Sequence, residues 1–206
     1  MFMEKVCIIG GSGHARVVAD IIACMINNGY DAQIIGFLDD NPEKTELLGY
    51  PRLGDLSCIE ALSASGACFV IGIGDNGIRK KISEGHNVRW FTAIHPTSQI
   101  SSHASIGEGT VVMPGSIINA GAHVGRHVIV NSGAVIEHDC LLADFVHVSP
   151  NATLCGNVSV GEFTHIGAGA TVIQNIKIGA FSVIGAGAVV VRDVCDNKTV
   201  KGVPAK

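Results

Sequence analysis

The sequence predicts a chain in two parts: an N-terminal α/β unit of βαβαβ type and a parallel β-helix built from short repeats. Near the start of the chain, an apolar strand runs into a glycine-rich turn and an amphipathic helix. From Ile94 to Val190 every sixth residue is aliphatic. This period fits neither a 3.6-residue helix nor simple strand alternation. An antiparallel sandwich, the alternative, would show turn signals about every 8 to 12 residues and no fixed six-residue phase.

The first strand and helix surround a possible phosphate-binding turn. The strand "VCII" (6–9) leads to Gly10, Gly11 and Gly13, while Arg16 replaces the third glycine of a dinucleotide fingerprint. Glycine lets the backbone approach a phosphate at the positive end of a helix. Alternatively, the glycines only allow close helix–strand packing, and His14 only caps or packs at the helix start. The helix is expected to be amphipathic through Val17, Val18, Ile21 and Ile22.

Two further strand signals complete the α/β unit. "QIIGFLDD" ends in Asp39 and Asp40, near where a dinucleotide fold carries its ribose-binding acid, and "CFVIGIG" leads into the helical "DNGIRKKI". About 93 residues precede the repeat, too few for two mononucleotide-binding halves and a substrate domain. We therefore expect one mononucleotide site, not an NAD site, in residues 1–93, and a β-helix with a C-terminal tail in residues 94–206.

The repeat itself predicts short strands joined by tight corners. The residue two before each aliphatic is usually small, and glycine often follows the aliphatic directly. We expect the aliphatic side chains to fill the core and these small residues and glycines to turn the chain. Three faces make a coil of 18 residues, and coils stacked about 4.8 Å apart give a triangular prism of five to six coils.

The same phase predicts where the histidines lie. His147 and His165 are 18 residues apart, so they are expected to stack on adjacent coils, with His138 half a coil earlier. Since the aliphatics fill the core, the histidines should project outward, to solvent or to another subunit. His123 and His127 are expected at the surface.

Composition narrows the classes of function. The 206 residues carry a net charge of −4, with a basic cluster only at residues 79–81, which argues against nucleic acid and anionic membranes as partners. No stretch approaches the roughly 20 apolar residues of a membrane span, and the N-terminus resembles a strand more than a signal peptide. Seven cysteines without a CxxC pair indicate reduced thiols in the cytoplasm, without zinc.

Several segments together resemble a known family along essentially the whole chain. They are "GGSGHARVVAD", "FLDD", "IGIGDNGIRKKI", "IHPTSQIS", "VIEHDC", "FVHVSPNATLCGNVSVGE" and "VKGVPAK". The chain resembles the bacterial sugar O- and N-acetyltransferases of the hexapeptide-repeat superfamily, which include sialic-acid-pathway enzymes. The greatest likeness is to the UDP-4-amino-sugar N-acetyltransferases of the bacillosamine pathway.

The resemblance implies a fold, an activity and a set of site residues. It implies an N-terminal half-Rossmann domain that holds a nucleotide sugar, a left-handed parallel β-helix, and a homotrimer with acetyl-CoA between neighbouring prisms. The activity implied is amino-sugar N-acetylation in glycan or glycoprotein precursor biosynthesis. The catalytic histidine falls on His138 and its orienting acid on Asp139. Cofactor contacts fall on His147, Gly156, Ala168 and Ala186, with "GVPA" near the adenine, and nucleotide-sugar contacts on Ser12, Gly13, His14, Asp39, Asp40 and Gly74.

The residue types at 137–139 suit this chemistry. Attack of an amine on a thioester needs a group that removes the amine's proton, and imidazole suits that task at neutral pH. A carboxylate at Asp139, or less favourably at Glu137, would orient the ring. His147 or a backbone N–H would stabilise the thioester oxyanion. Cys140 and Cys155 could form an acyl-cysteine, although inert buried thiols are the favoured interpretation.

Other functions stay open at this stage. Hexapeptide prisms also include a trimeric zinc carbonic anhydrase, and the pairs His123/His127 and His147/His165 could suggest one. The second alternative is a nucleotide-sugar binder that has lost turnover. Within the enzyme class, a hydroxyl acceptor or a GDP- or dTDP-linked amino sugar would use the same base, and the sequence does not decide among them.

Overall fold

The computed structural model describes residues 3–206, so Met1 and Phe2 of the predicted first segment lie outside it. The chain divides into two compact units, one ending at Pro96 and the other beginning at Thr97. No helix within residues 3–206 is long and apolar enough to cross a bilayer.

The first unit is a five-stranded sheet with helices, in the order β3-β4-β2-β1-β5. Its strands pair in parallel, except that β3 and β4 form an antiparallel hairpin. The predicted βαβ start and the third strand with its helix are present. The hairpin and a 3₁₀ turn at Leu56–Cys58 were not predicted. A helix before the last strand of the βαβαβ unit was predicted, without an assigned segment, and it is α2. The elements are β1 (Glu4–Ile9), α1 (Gly13–Asn27), β2 (Ala32–Leu38), β3 (Glu46–Leu47), β4 (Tyr50–Gly54), α2 (Ile59–Ala64), β5 (Ala67–Ile71), α3 (Asn76–Gly85) and β6 (Ala93–Ile94).

Burial explains why the central strands are apolar throughout. In β1 the segment 6–9 is at most 1% exposed, as expected for a parallel strand covered on both faces. On α1, Val18, Ile21 and Ile22 are fully buried, whereas Val17 is 37% exposed and does not belong to the predicted apolar face. A side chain at Gly72 would collide with Ala15, its Cβ lying 2.7 Å from the Ala15 Cα, so this glycine lets α1 pack on the sheet.

The second unit is a three-sided parallel β-helix. Strands one coil apart pair in register, for example Ile118 with Ile136 and Val148 with Ile166. The aliphatic residues that recur at every sixth position, one in each six-residue repeat or hexad, are the second residues of the strands from β7 to β22. The strands are β7 (Gln99–Ile100), β8 (Ser105–Ile106), β9 (Val111–Val112), β10 (Ile117–Ile118), β11 (His123–Val124), β12 (Ile129–Val130), β13 (Val135–Ile136), β14 (Leu141–Leu142), β15 (His147–Val148), β16 (Thr153–Leu154), β17 (Ser159–Val160), β18 (His165–Ile166), β19 (Thr171–Val172), β20 (Lys177–Ile178), β21 (Val183–Ile184), β22 (Val189–Val190) and β23 (Thr199–Val200).

Three faces result from this stacking. The first face contains β7, β10, β13, β16, β19 and β22; the second contains β8, β11, β14, β17 and β20; the third contains β9, β12, β15, β18, β21 and β23. The chain passes from the first face to the second and then to the third, turning at a corner each time.

The corners are made differently from the prediction. The left-handed backbone lies three residues after the aliphatics from Ile106 to Ile184, as at Asp139 (φ 60°) and Asn157 (φ 59°). A glycine directly after an aliphatic does not have this conformation. A Cβ at Gly107 would lie 2.6 Å from the carbonyl carbon of Gly125 in the next coil, so such glycines allow close coil-to-coil approach. Their predicted role in turning the chain was therefore wrong.

Aromatic side chains occupy several left-handed corner positions between the second and third faces. His127, Phe145, Phe163 and Phe181 form a stacked ladder with ring centroids 4.8–5.4 Å apart and nearly parallel planes. His127 is only 3% exposed, because Phe145 covers one face of its ring and Gly109 of the preceding coil lies against the ring. The prediction that His127 lies at the surface was wrong, whereas His123 is exposed as predicted.

Candidate active site

His138 and Asp139 lie in the turn that joins β13 to β14, at the corner between the first and second faces. Asp139 adopts the left-handed conformation, which aspartate tolerates better than most residues. Its N–H donates to the Ala120 carbonyl of the preceding coil (3.1 Å), and the His138 carbonyl accepts from the N–H of Asn157 in the next coil (2.9 Å). Neighbouring coils therefore hold the backbone of both residues.

The side chains of these residues form a hydrogen-bonded pair. His138 Nδ1 lies 2.9 Å from Asp139 Oδ2. A carboxylate only accepts hydrogen bonds, so Nδ1 carries the hydrogen and, in the neutral ring, Nε2 keeps its lone pair. The two side chains are 61% and 66% exposed in the single chain. The structure thus brings together the predicted base and its predicted orienter, and their roles remain predictions.

His147 belongs to a separate polar column on the third face. Its Nε2 lies 3.2 Å from the side-chain amide of Asn131, and its ring stacks on His165 with a centroid distance of 4.6 Å and an interplanar angle of 7°. His165 in turn lies 2.7 Å from the Ser149 hydroxyl. The predicted stacking is present. His147 itself is only 9% exposed in the single chain, so its ring is not open to solvent as one of the two expectations had it, and a contact with another subunit stays a prediction.

The other predicted cofactor-binding residues, Gly156, Ala168 and Ala186, lie on two corners. Gly156 is one coil after His138 on the same corner, and the imidazole lies against its Cα. Ala168 and Ala186 lie on the corner between the third and first faces, where the N–H of Gly187 donates to the Ala168 carbonyl (2.8 Å). A ligand that contacts Gly156 as well as Ala168 and Ala186 must therefore reach two corners.

The thiol next to the pair is buried. Cys140 is fully buried and its Sγ donates to the Cys155 carbonyl at 3.2 Å. Burial raises the pKa of the Cys140 thiol, which lowers its thiolate fraction and hence its nucleophilicity. These features favour the interpretation of an inert thiol.

In the first unit, Asp39 anchors the glycine-rich turn. Its carboxylate accepts from the N–H of Gly11 (2.7 Å), the N–H of Asn41 (2.9 Å) and the ammonium of Lys44 (2.9 Å). Burial alone would raise the pKa of Asp39, but the hydrogen bonds from Lys44, Asn41 and Gly11 together lower it below its usual value. Asp40 accepts from the N–H of Leu56 at 3.2 Å. Contacts of Asp39 and Asp40 with a nucleotide sugar remain predictions.

Sequence reasoning missed Lys44 as a member of this site. Its ammonium bridges the Asp39 carboxylate and the hydroxyl of Ser12, which lies 2.8 Å away at the start of α1. It places a positive charge beside Ser12 and Gly13 at the helix N-terminus, where anions are favoured. The only signal was a single lysine shortly after "DD", which is too common to single out.

A buried pair of basic side chains lies near the same turn. The Nε2 of His14 is buried without a hydrogen-bond partner among residues 3–206. Burial, and then the charge of Arg79, lower the pKa of His14 to about 4. Arg79 is 2% exposed and donates to the Gly74 carbonyl at 2.8 Å; burial lowers its pKa to about 10. From the sequence, Arg79 was noted only as part of a basic cluster. It lies three residues before the buried Ile82, and this spacing, which puts both on one face of α3, was the available signal that Arg79 is buried.

Two family models match the chain. The model of the PglD N-terminal domain matches residues 5–85, and that of the bacterial transferase hexapeptide (six repeats) matches residues 103–138. Within residues 3–206 the structure has no cluster of three or more His, Cys, Asp or Glu side chains suited to a metal ion.

Solved structures match over nearly the whole chain. A point mutant of perosamine N-acetyltransferase from Caulobacter crescentus, in complex with CoA and GDP-perosamine, is 39% identical; the match covers 99% of this chain and 96% of that one, with a TM-score of 0.90. The acetyltransferase domain of PglB from Neisseria gonorrhoeae, in complex with acetyl coenzyme A, is 38% identical over 98% of each chain, with a TM-score of 0.93. These likenesses confirm the predicted fold class, an α/β domain followed by a left-handed β-helix.

A curated relative matches over a shorter segment. UDP-N-acetylbacillosamine N-acetyltransferase from Bacillus subtilis is 41% identical over 113 residues, which are 52% of this chain and 50% of the relative. The match thus spans about half the length of that protein. Taken with the near-complete likeness to the solved enzymes, it shows that this chain belongs to the sugar N-acetyltransferase family that joins a PglD N-terminal domain to a bacterial transferase hexapeptide repeat.

Proposed function

We propose that this protein transfers the acetyl group of acetyl-CoA to the amino group of a nucleotide-linked amino sugar. The favoured substrate is a UDP-4-amino-4,6-dideoxy sugar, in a pathway that makes surface glycan or glycoprotein precursors. The observation that carries the proposal is the His138–Asp139 pair, whose Nδ1–H is held by a carboxylate while Nε2 remains available as a base. Likeness to enzymes named for bacillosamine and perosamine supports the choice of an amine acceptor.

In this mechanism His138 acts as the general base. As the sugar amine forms its bond to the thioester carbonyl carbon, Nε2 accepts the proton that the nitrogen loses. The C–S bond then breaks, and the ring returns that proton to the departing sulfur, so that CoA leaves as the thiol and the base is regenerated. Asp139 holds the ring and stabilises the positive charge that develops on it. A backbone N–H or His147 would donate to the carbonyl oxygen as negative charge builds there. General-base catalysis of this kind contributes about 10² to 10⁴ in rate.

The distribution of the predicted cofactor contacts supports a homotrimer. His138 and Gly156 lie on one corner, whereas Ala168 and Ala186 lie on another. Two facing prisms would each present one corner to acetyl-CoA lying between them. The "GVPA" segment would lie near the adenine, and all cofactor contacts except that of His147 would be made by backbone.

The first unit supplies features suited to a nucleotide sugar. The N-terminus of α1 begins at Ser12 and Gly13 and offers N–H groups to a diphosphate. His14, Gly74, Asp39 and Asp40 complete the proposed contacts, with Lys44 as an added cation. All seven cysteines are free thiols, which fits the reducing cytoplasm, where acetyl-CoA and nucleotide sugars are made, as the proposed compartment.

An assay of CoA release tests the function. Acetyl-CoA is offered with UDP-, GDP- and dTDP-linked 4-amino-4,6-dideoxy sugars and with their 4-hydroxyl analogues. GDP is included because a solved relative at 39% identity holds GDP-perosamine. Release with an amino sugar but not with its hydroxyl analogue establishes N-acetylation and names the nucleotide. Release with the hydroxyl compounds would instead indicate an O-acetyltransferase, and no release with any of them would support a binder without turnover.

Replacing the base tests the mechanism. His138→Asn should lower kcat by about 10²- to 10⁴-fold, because asparagine cannot take the proton. His123→Asn, at an exposed histidine outside the site, should keep wild-type kcat. Wild-type kcat in His138→Asn would remove His138 from the mechanism.

A further inference from the structure

We infer that Gly156 positions His138, because the space left by its missing side chain is where the imidazole rests. The inference rests on the proposed role of His138 as the base. In this role Gly156 would be a positioning residue and not a catalytic one. The space above its Cα would determine where Nε2 of His138 lies.

The backbone at Gly156 does not itself require glycine. Gly156 is the second residue after a hexad aliphatic, and it is not among the glycines with positive φ. The same place in the other hexads always carries a side chain. These residues are Pro96, Ser102, Glu108, Pro114, Ala120, Arg126, Ser132, His138, Asp144, Pro150, Glu162, Ala168, Gln174, Ala180, Ala186 and Arg192. The corner therefore accepts large, charged and cyclic residues, and a different constraint selects glycine at 156.

Coil stacking does not supply that constraint either. A Cβ at Gly161 or Gly167 would collide with backbone atoms of the next coil, which explains those glycines. At Gly156 the three nearest atoms all belong to the His138 imidazole: Nε2 at 2.5 Å, Cε1 at 2.6 Å and Cδ2 at 3.2 Å from an added Cβ. The ring of His138 thus lies over the Gly156 Cα, and the ring is what an alanine would meet.

The displacement that alanine would cause is large enough to matter for proton transfer. Ordinary contact between such atoms begins at about 3.4 Å, so the ring would have to move by roughly 1 Å. His138 is mostly exposed and free to move outward. Such a move would strain or break its 2.9 Å contact with Asp139 and shift Nε2 away from the reacting amine. A misplacement of about 1 Å can cost about 10²-fold in rate.

The test compares Gly156→Ala with Glu162→Ala. Both place alanine at the same position of a hexad, but Glu162 is an exposed residue on the corner between the second and third faces. For each variant, kcat, the KM for acetyl-CoA and the melting temperature are measured. The His138 ring is followed by NMR of protein labelled with ¹³C at histidine Cε1, with its resonance assigned by its loss in His138→Asn.

We expect Gly156→Ala to keep a melting temperature no lower than that of the wild type and a KM for acetyl-CoA near the wild-type value. Its kcat should fall by about 10²-fold, and the His138 resonance should shift while those of the other histidines stay in place. Glu162→Ala should match the wild type in every measurement.

Three results would overturn the inference. One is wild-type kcat with an unmoved His138 resonance. Another is a higher KM for acetyl-CoA with an unmoved resonance, since the glycine would then make room for the cofactor and not for the ring. The third is a Gly156→Ala variant that does not fold. Absence of acetyl transfer in the wild type would contradict the proposed function alone, because the NMR comparison needs no turnover.

Discussion

Two histidines of this chain have opposite surroundings, and their chemistry differs accordingly. His138 is largely exposed and has a carboxylate on one nitrogen. His14 is buried near the cation Arg79, so a proton on its ring would be unfavourable. A neutral His14 adds no positive charge next to the buried Arg79.

The surroundings of His14 predict how stability depends on pH. Its pKa in the folded chain is about 4, below the ordinary value of 6.5, so the unfolded chain binds more protons between these values. Stability is therefore complete above pH 6.5 and is lost as the pH falls toward 4. Between pH 7.5 and pH 5.0 the wild type should lose about 2 kcal/mol more than His14→Gln. Urea unfolding followed by fluorescence of Trp90, the single tryptophan and a residue of the first unit, measures this.

The control for this prediction is His123→Gln, which replaces an exposed histidine of the other unit. It should lose as much stability as the wild type over the same pH range. Equal losses in the wild type and in His14→Gln would show that His14 is charged in the folded protein.

At the level of elements, the left-handed corners decide which side chains can approach one another. Gly121 lies one coil before Asp139, and a Cβ there would collide with the Asp139 carboxylate. Gly115 has a similar φ, 69° against 75°, but nothing within 4 Å of an added Cβ. Alanine at either glycine meets the same backbone penalty, so the pair isolates the effect on Asp139.

We expect Gly121→Ala and Gly115→Ala to lose similar stability, about 1 to 2 kcal/mol each, from the left-handed backbone. Only Gly121→Ala should also lower kcat, because its methyl group would push the carboxylate away from His138 Nδ1. Thermal unfolding and the CoA-release assay check the two effects. Equal kcat in both variants would show that the position of Asp139 does not matter for turnover.

The corners also explain which predictions from sequence succeed. The hexad aliphatics and the His147–His165 stack follow from a fixed period of 18 residues per coil, which needs no knowledge of the turns. The prediction that His127 lies at the surface was wrong because its burial depends on a contact between coils. The ring stacks on Phe145 of the next coil, at a left-handed corner that local sequence does not reveal. The sequence did not identify Lys44 and Arg79 as residues near the glycine-rich turn, because their contacts depend on the tertiary structure there and not on a local pattern.

At the scale of the whole molecule, the arrangement of the corners determines where a complete site can form. One prism carries His138, the proposed base, on the corner between its first and second faces and carries Ala168 on the corner between its third and first faces. If acetyl-CoA lies between two prisms, each site takes its base from one protomer and its Ala168 corner from the neighbour. Oligomers are generally symmetric, so every site of a trimer would be composite in the same way.

Mixed trimers test this arrangement. His138→Asn lacks the base, and Ala168→Tyr should block the cofactor corner, so each variant alone should be nearly inactive. If the two are unfolded together at equal amounts and refolded, about a quarter of the sites should combine an intact base with an intact neighbouring corner, and about a quarter of wild-type activity should return. Mixing the variants without unfolding should restore nothing, because protomers have not exchanged. Failure of the refolded mixture to regain activity, while refolded wild type does regain it, would place the base and the cofactor corner of each site within one protomer.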